Sequence, residues 1–201
     1  MSLSSRHLAG AILVAVAAPV MAQAQEAGVA PIQALDDGLL AIMKGGKSLG
    51  FAGRAARIAP VVDQAFDLPL MTRLSVGPAW TGMSATDQAA LSAAFRRMTI
   101  AQYADNFDGW SGESFVIDPK VEVRGTDRLV KTTLKSPHDA PVSLAYRLRQ
   151  TGGSWRIIDV FYKNSISQLA TRRSDFARIL STGGAKALVT HLNALSEKAA
   201  R

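Results

Sequence analysis

The residues that could do chemistry are few and scattered. Gly46-Lys47-Ser48 has the ending of a phosphate-binding loop, but the upstream Gly that such a loop requires is Ala41 here, and a helical pattern precedes it where the motif needs a strand. His138, inside Ser136-Pro137-His138-Asp139, reads as turn chemistry, because Ser, Pro and Asp are the residues that build tight turns. His191 stands alone in the last helical stretch. Asp159 sits among apolar residues of a strand pattern and could act as a base if buried. A strand-end Asp satisfied by backbone donors or an Arg explains it as well. With no Cys, thiol nucleophiles, zinc-thiolate sites and iron-sulfur clusters are excluded. No His pair falls at metal spacing, and no Gly-x-Ser-x-Gly elbow occurs. The expectation is a protein without catalytic residues, metal or cofactor. An enzyme acting on an apolar substrate through Asp159 or His138 is the alternative.

Charge points outward instead. Lys131, Lys135, Arg147 and Arg149 gather on strand patterns, and Arg172, Arg173 and Arg178 on a helical one. Either cluster could meet phosphate headgroups or an acidic partner. Arg6 and His7 precede an apolar run from Leu8 to Val20, which is followed by the small-residue triplet Ala22-Gln23-Ala24, the layout of a secretory signal peptide over residues 1–24. Its run is too short for a membrane span, which needs about 20 apolar residues. Cleavage after Ala24 would leave 22 Lys and Arg against 16 Asp and Glu, a net charge of +6. In an exported protein that balance favours anionic membrane surfaces or acidic partners over nucleic acid.

Residues 25–201 read as one domain that positions these groups. Ile32, Leu35, Leu39 and Ile42 recur three and four apart from Pro31 to about Met43, an amphipathic helix stopped by Gly45-Gly46. A second stripe, from Ile58 through Phe66 to Leu74, carries Pro60, Pro69 and Pro78, which predict several short helices. Ser84-Ala85-Thr86-Asp87 is a capping box, and Leu91, Phe95, Met98, Gln102 and Tyr103 continue a helix to about Phe107. After Gly109 the texture turns to β. Strands are predicted over 115–117, 121–124, 129–135, 142–149 and 155–162, separated by turn residues, as in an antiparallel meander. Val142, Leu144, Tyr146 and Leu148 alternate with Ser143, Ala145, Arg147 and Arg149, giving the sheet one apolar face. Beyond Asn164 helical spacing returns with Ile166, Leu169, Phe176 and Leu180, breaks at Gly183-Gly184, and resumes at Leu188, Val189, Leu192 and Leu195.

The stretch Trp155-Arg156-Ile157-Ile158-Asp159-Val160, followed by Ile166-Ser167-Gln168-Leu169-Ala170, Arg173, Asp175-Phe176, Leu180 and Gly183-Gly184, resembles the toluene-tolerance or MlaC family. Tyr103, Phe107, Trp110, Ser111-Gly112-Glu113 and Phe115 are similar to that family's helix-to-sheet junction. The likeness covers most of residues 30–198. Ser167-x-Leu169-Ala170-x-Arg172-Arg173-Ser174-x-Phe176 looks closest to the subgroup associated with hopanoid biosynthesis, called HpnM. Where the family turn after the Trp strand usually carries Gly, this chain has Asn164, which tolerates the left-handed conformation.

The resemblance implies an α+β fold, a twisted antiparallel sheet of four to five strands wrapped by N-terminal and C-terminal helices, with an apolar cavity between them. It further implies a periplasmic carrier of phospholipid or hopanoid that moves lipid between membranes and exchanges it with membrane-bound ABC-type transporter components. Strands of seven to nine residues span roughly 25–30 Å, the scale of an acyl chain or a fused-ring hydrocarbon. A tail-sized void of about 1,000 Å³, left empty, would cost on the order of 20 kcal/mol, so such a pocket must collapse or stay filled. The expected wall is Phe66, Leu70, Leu74, Phe95, Tyr103, Phe107, Val123, Leu134, Leu144, Tyr146, Trp155 and Phe161, with Lys131, Arg147, Arg149, Arg172 and Arg173 meeting headgroups or partners. For each wall residue, ordinary core packing gives the same pattern. A structural adaptor with a filled core, docking through the Arg172 to Arg178 surface, remains a further alternative. Release of cargo would need helix movement, for which Gly45-Gly46 and Gly183-Gly184 are the natural hinges.

Overall fold

The computed structural model describes residues 20–201. The expected export segment therefore lies, up to residue 19, outside the described residues. Helix α1 (Val20–Ala65) is interrupted by non-helical backbone at Gly46 (φ 43°, ψ −133°) and Gly50 (φ 59°, ψ 175°). Both sit at positive φ, where a Cβ is penalised, so the expected stop falls on the second residue of Gly45-Gly46. Before the break α1 buries Ile32, Leu35, Leu39 and Ile42, and after it Ile58 and Val62. Pro60 was expected to end a helix and does not: α1 continues to Ala65, because fully buried Ile58 and Val62 on either side hold the turn against the lost hydrogen bond. Arg54 locks the interruption to the rest of the molecule. Its Nε donates to the Ala104 carbonyl at 2.8 Å and its Nη1 to the Gly46 carbonyl at 3.2 Å.

Asp67 caps α2 (Leu68–Val76), its side chain accepting from the Leu70 N–H, with Pro69 in the first turn where no donor is needed. A 3₁₀ turn over Gly77–Gly82 leads to α3 (Ala85–Asn106). The expected cap is present in its forward half: Ser84 Oγ accepts from the Asp87 N–H at 3.1 Å, while the Asp87 carboxylate accepts from the Ser84 hydroxyl at 2.7 Å in place of the Ser84 N–H. Arg96 makes a two-pronged ion pair to Asp63, at 2.7 and 2.6 Å, tying α3 to α1.

The sheet is antiparallel with six strands: β1 (Ser114–Ile117), β2 (Glu122–Arg124), β3 (Asp127–Lys135), β4 (Val142–Thr151), β5 (Ser154–Tyr162) and β6 (Ile166–Ser167), in the order β1-β3-β4-β5-β6, with β2 on the same edge of β3 as β1. Ile166, which the helical spacing beyond Asn164 assigns to a helix, instead forms the sixth strand. A turn with positive φ at Lys163 and Asn164 folds the chain back so that Ile166 pairs with Tyr162. Register places Leu134 opposite Val142, Thr132 opposite Leu144 and Val130 opposite Tyr146 on the face toward the helices; Lys131, Ala145 and Phe161 share the outer face. A bulge between Arg147 and Leu148 restores the inward phase, so fully buried Leu148 and Ile157 also face each other. Helix α4 (Gln168–Ala199), capped by Ser167, packs along α3 and breaks at Gly184 (φ 64°, ψ −165°). The result is an α+β fold in which helices cover one face of the sheet.

Candidate functional site

At one end of this layer, where β3 and β5 finish and β4 begins, the packing is left open. A cavity of about 430 Å³ lies between the inner face of the sheet and the helices, bounded by Phe66, Met71, Thr99, Gln102, Tyr103, Asn106, Phe107, Leu134, Val142, Leu144, Tyr146, Val160, Tyr162, Gln168 and Arg172, and it opens to solvent. Its floor is the alternation of β3, β4 and β5, which turns Leu134, Val142, Leu144, Tyr146, Val160 and Tyr162 to one side. Its far wall is an aromatic chain: Phe66 and Tyr103 have ring centroids 5.7 Å apart, and Tyr103 stacks on Phe107 at 5.9 Å. Phe66 is fixed there by a bridge to Ile157, reinforced by the Asp67 N–H donating to the Ile157 carbonyl at 2.9 Å. Sealed and dry, 430 Å³ would cost about 10 kcal/mol, as much as a domain's whole stability. The volume is less than half of the tail-sized void considered above.

Of the twelve expected wall residues, Phe66, Tyr103, Phe107, Leu134, Leu144 and Tyr146 border the cavity. The others lie elsewhere. Helix α2 turns Leu68, Met71, Thr72, Ser75 and Val76 inward, so Leu70 and Leu74 fall off that phase and Met71 takes the wall position. Phe95 is buried deeper, edge-on to Phe176 with centroids 6.4 Å apart. Val123 is 65% exposed on the short edge strand β2. Trp155 stands at the opposite end of β5 from Tyr162, beneath the Arg128 guanidinium at 5.0 Å. Phe161 points outward, as its position between inward Val160 and Tyr162 requires, and lines an outer groove with Arg124, Leu129, Arg147, Asn164 and Ser165.

The basic residues divide in the same way. Lys131 pairs with Glu122 at 2.6 Å, while Arg147 and Arg149 donate to the buried Asp127 carboxylate at 2.6 and 2.7 Å, all on the outer face. These three are engaged by acids of their own sheet. Hydrogen bonds from Arg149 and then Arg147 hold the Asp127 carboxyl below the usual carboxylate range. Arg173 is exposed and lies against Gly77 at the end of α2. Arg172 alone of the five enters the cavity wall.

Of the two residues singled out for catalysis, Asp159 has a structural role and His138 lies outside the cavity wall. Asp159 accepts from Ser167 Oγ at 2.6 Å and from the Leu169 N–H at 3.0 Å, so it caps the start of α4. His138 lies in an exposed turn whose His138 and Asp139 N–H groups both donate to Ser136 Oγ. Among the described residues no group of three or more His, Cys, Asp or Glu could hold a metal ion, and no helix is long and apolar enough to cross a membrane. Sequence reasoning missed Met71, Thr99, Gln102, Asn106, Val142, Val160, Tyr162 and Gln168. A signal existed for two of them: Gln102 interrupts the apolar stripe Phe95-Met98-Gln102, and Val142 opens the alternation that includes Leu144 and Tyr146.

A family model described as MlaC protein matches residues 33–194. A solved structure, described as that of the phospholipid-binding protein from Ralstonia solanacearum in complex with a phospholipid, superposes with a TM-score of 0.72 at 23% sequence identity, covering 87% of this chain and 99% of that one. At that identity the likeness is one of fold. No curated protein matches the sequence.

Proposed function

We propose that this chain, which belongs to the MlaC family, is a noncatalytic lipid carrier that shelters the apolar part of a phospholipid or hopanoid in the cavity between sheet and helices. The observation that carries this reading is the cavity itself: about 430 Å³ of space walled mainly by aromatic and aliphatic side chains inside an otherwise packed domain. Apolar burial, worth about 25 cal/mol per Å², supplies the affinity, so truncating the tail weakens binding more than exchanging one headgroup for another of like charge. The phospholipid held by the Ralstonia solanacearum protein of the same fold supports the cargo class. The HpnM-like Ser167 to Phe176 stretch is the ground for including hopanoids. In this reading the chain is exported by residues 1–24, works in the periplasm as a domain of residues 25–201, and exchanges lipid with membrane-bound ABC-type components between the two membranes. Phe66, Tyr103, Phe107, Leu134, Leu144 and Tyr146 make the tail contacts. The test is transfer of a labelled phospholipid from donor to acceptor vesicles by the purified mature protein. Transfer faster than the protein-free rate is expected, and no acceleration over that rate overturns the carrier reading.

A further inference from the structure

The cavity is not uniformly apolar. Leu134, Val142, Leu144 and Val160 make its sheet side, whereas Thr99, Gln102 and Asn106 of α3 and Gln168 and Arg172 of α4 gather on its helix side. Arg96, Arg124, Arg147, Arg149 and Arg178 each pair with a carboxylate, whereas no carboxylate among the described residues lies within ion-pair distance of Arg172, and of the arginines without one it is the one that borders the cavity. Its Nη2 donates to Gln102 Oε1 at 3.1 Å, and its guanidinium carbon lies 5.0 Å from the centre of the Phe95 ring. Of five N–H donors, a single one is thus used by the protein. Asp159, the acid whose charge it feels, has both oxygens committed to Ser167 and Leu169. Burial disfavours the guanidinium's charge. A cation taken out of water is costly unless a counter-charge completes its hydrogen bonds. The ring of Phe95 and the amide of Gln102 hold the guanidinium plane in place, its free edge available to a planar or tetrahedral anion.

We propose that Arg172 is the receptor for the charged group of the cargo, so that the cavity selects anionic amphiphiles, lipids bearing a phosphate or carboxylate, over uncharged ones. The inference rests on the carrier reading and narrows it: uncharged hopanoid hydrocarbons and diacylglycerols fit the apolar side but leave Arg172 without a counter-charge. Gln102 and Gln168 flank the same side of the cavity and offer further donors to an oxyanion.

The test compares two fluorescent probes that share one tail and differ in whether its end is charged, cis-parinaric acid and its methyl ester, titrated into delipidated full-length mature protein. Inorganic phosphate alone serves as the tail-free anion. Wild type is expected to bind the acid roughly ten- to hundredfold more tightly than the ester, the range of a charge-assisted hydrogen bond. Arg172→Gln should bring the two probes to similar affinity, and Arg172→Lys should keep part of the preference. Equal binding of acid and ester by wild type overturns the inference and leaves the carrier reading standing; that comparison requires no variant. Binding of neither probe overturns both. Phosphate that binds as tightly as the acid overturns the assignment to lipid by marking a free-anion site.

Discussion

Asp36 offers the sharpest test of how this domain tolerates polar groups beside its cavity. It lies on α1 among fully buried Ile32, Leu35 and Leu39, is 1% exposed, and neither carboxylate oxygen has a hydrogen-bond partner among the described residues. Burial, and then the charge of neighbouring Asp37, push its carboxyl up to about 7 from an ordinary 3.8. Asp36 in turn raises the hydroxyls of Tyr103 on α3 and Tyr146 on β4, whose first cause of shift is their own burial; both are cavity-wall residues. The sign follows from linkage. Between 3.8 and about 7 the folded chain keeps a proton that the unfolded chain has lost, so stability is fullest at the acid end and falls as pH rises toward 7. At about 1.4 kcal/mol per pH unit the whole span is worth ~4 kcal/mol, of which about 3 falls between pH 5 and pH 8. Asp36→Asn keeps the shape and removes the titration. In urea unfolding it should be within about 1 kcal/mol of wild type near pH 5 and more stable by a few kcal/mol near pH 8. A variant no more stable at the higher pH, or a gap that does not change with pH, refutes the reasoning.

The remaining expectations are simpler. Val160→Trp adds volume to the cavity floor and should reduce retained lipid several-fold while the protein still unfolds cooperatively; undiminished lipid per chain by mass spectrometry would place the cargo elsewhere. Asp127→Asn strips the counter-charge from Arg147 and Arg149 and should cost about 1–3 kcal/mol in urea unfolding. Because the Asp127 carboxyl is held low, its contribution is present above the unfolded carboxylate value and fades as pH falls, so the gap to wild type should close in acid. Gly184→Ala has open space for the new methyl, yet φ 64° and ψ −165° is a backbone conformation that only Gly adopts easily, so a loss of about 1–3 kcal/mol in thermal unfolding is expected from the backbone alone.

The sequence and the structure agree where a local rule decides the outcome. Ser84 and Asp87 announce the start of α3, and the alternation from Val142 to Leu148 announces the floor of the cavity, because each rests on contacts between near neighbours. They part where a residue's meaning depends on phase set from afar. Leu70 and Leu74 are as apolar as Met71, but the point at which α2 begins turns Met71 inward. Phe161 lost its place on the wall to the strict alternation with Val160 and Tyr162, a rule available in the sequence. Val123 reads like any strand residue until β2 proves to be a three-residue edge. Arg172 carried a readable hint: with Leu169 and Phe176 it lies three and four apart on the inward stripe of α4, a position that a solvent-facing cation does not need. That an open cavity lies behind these residues, where a solid core could equally have formed, was beyond any pattern of hydrophobicity, since wall and core have the same composition.

The most direct measurement is solvent extraction followed by mass spectrometry of gently purified mature protein, run beside a denatured control that reports carried-over membrane lipid. The account predicts a defined lipid recovered at close to one molecule per chain from the folded protein and absent from the control. Folded protein that yields no lipid above the control, and takes none up from vesicles afterwards, would contradict it.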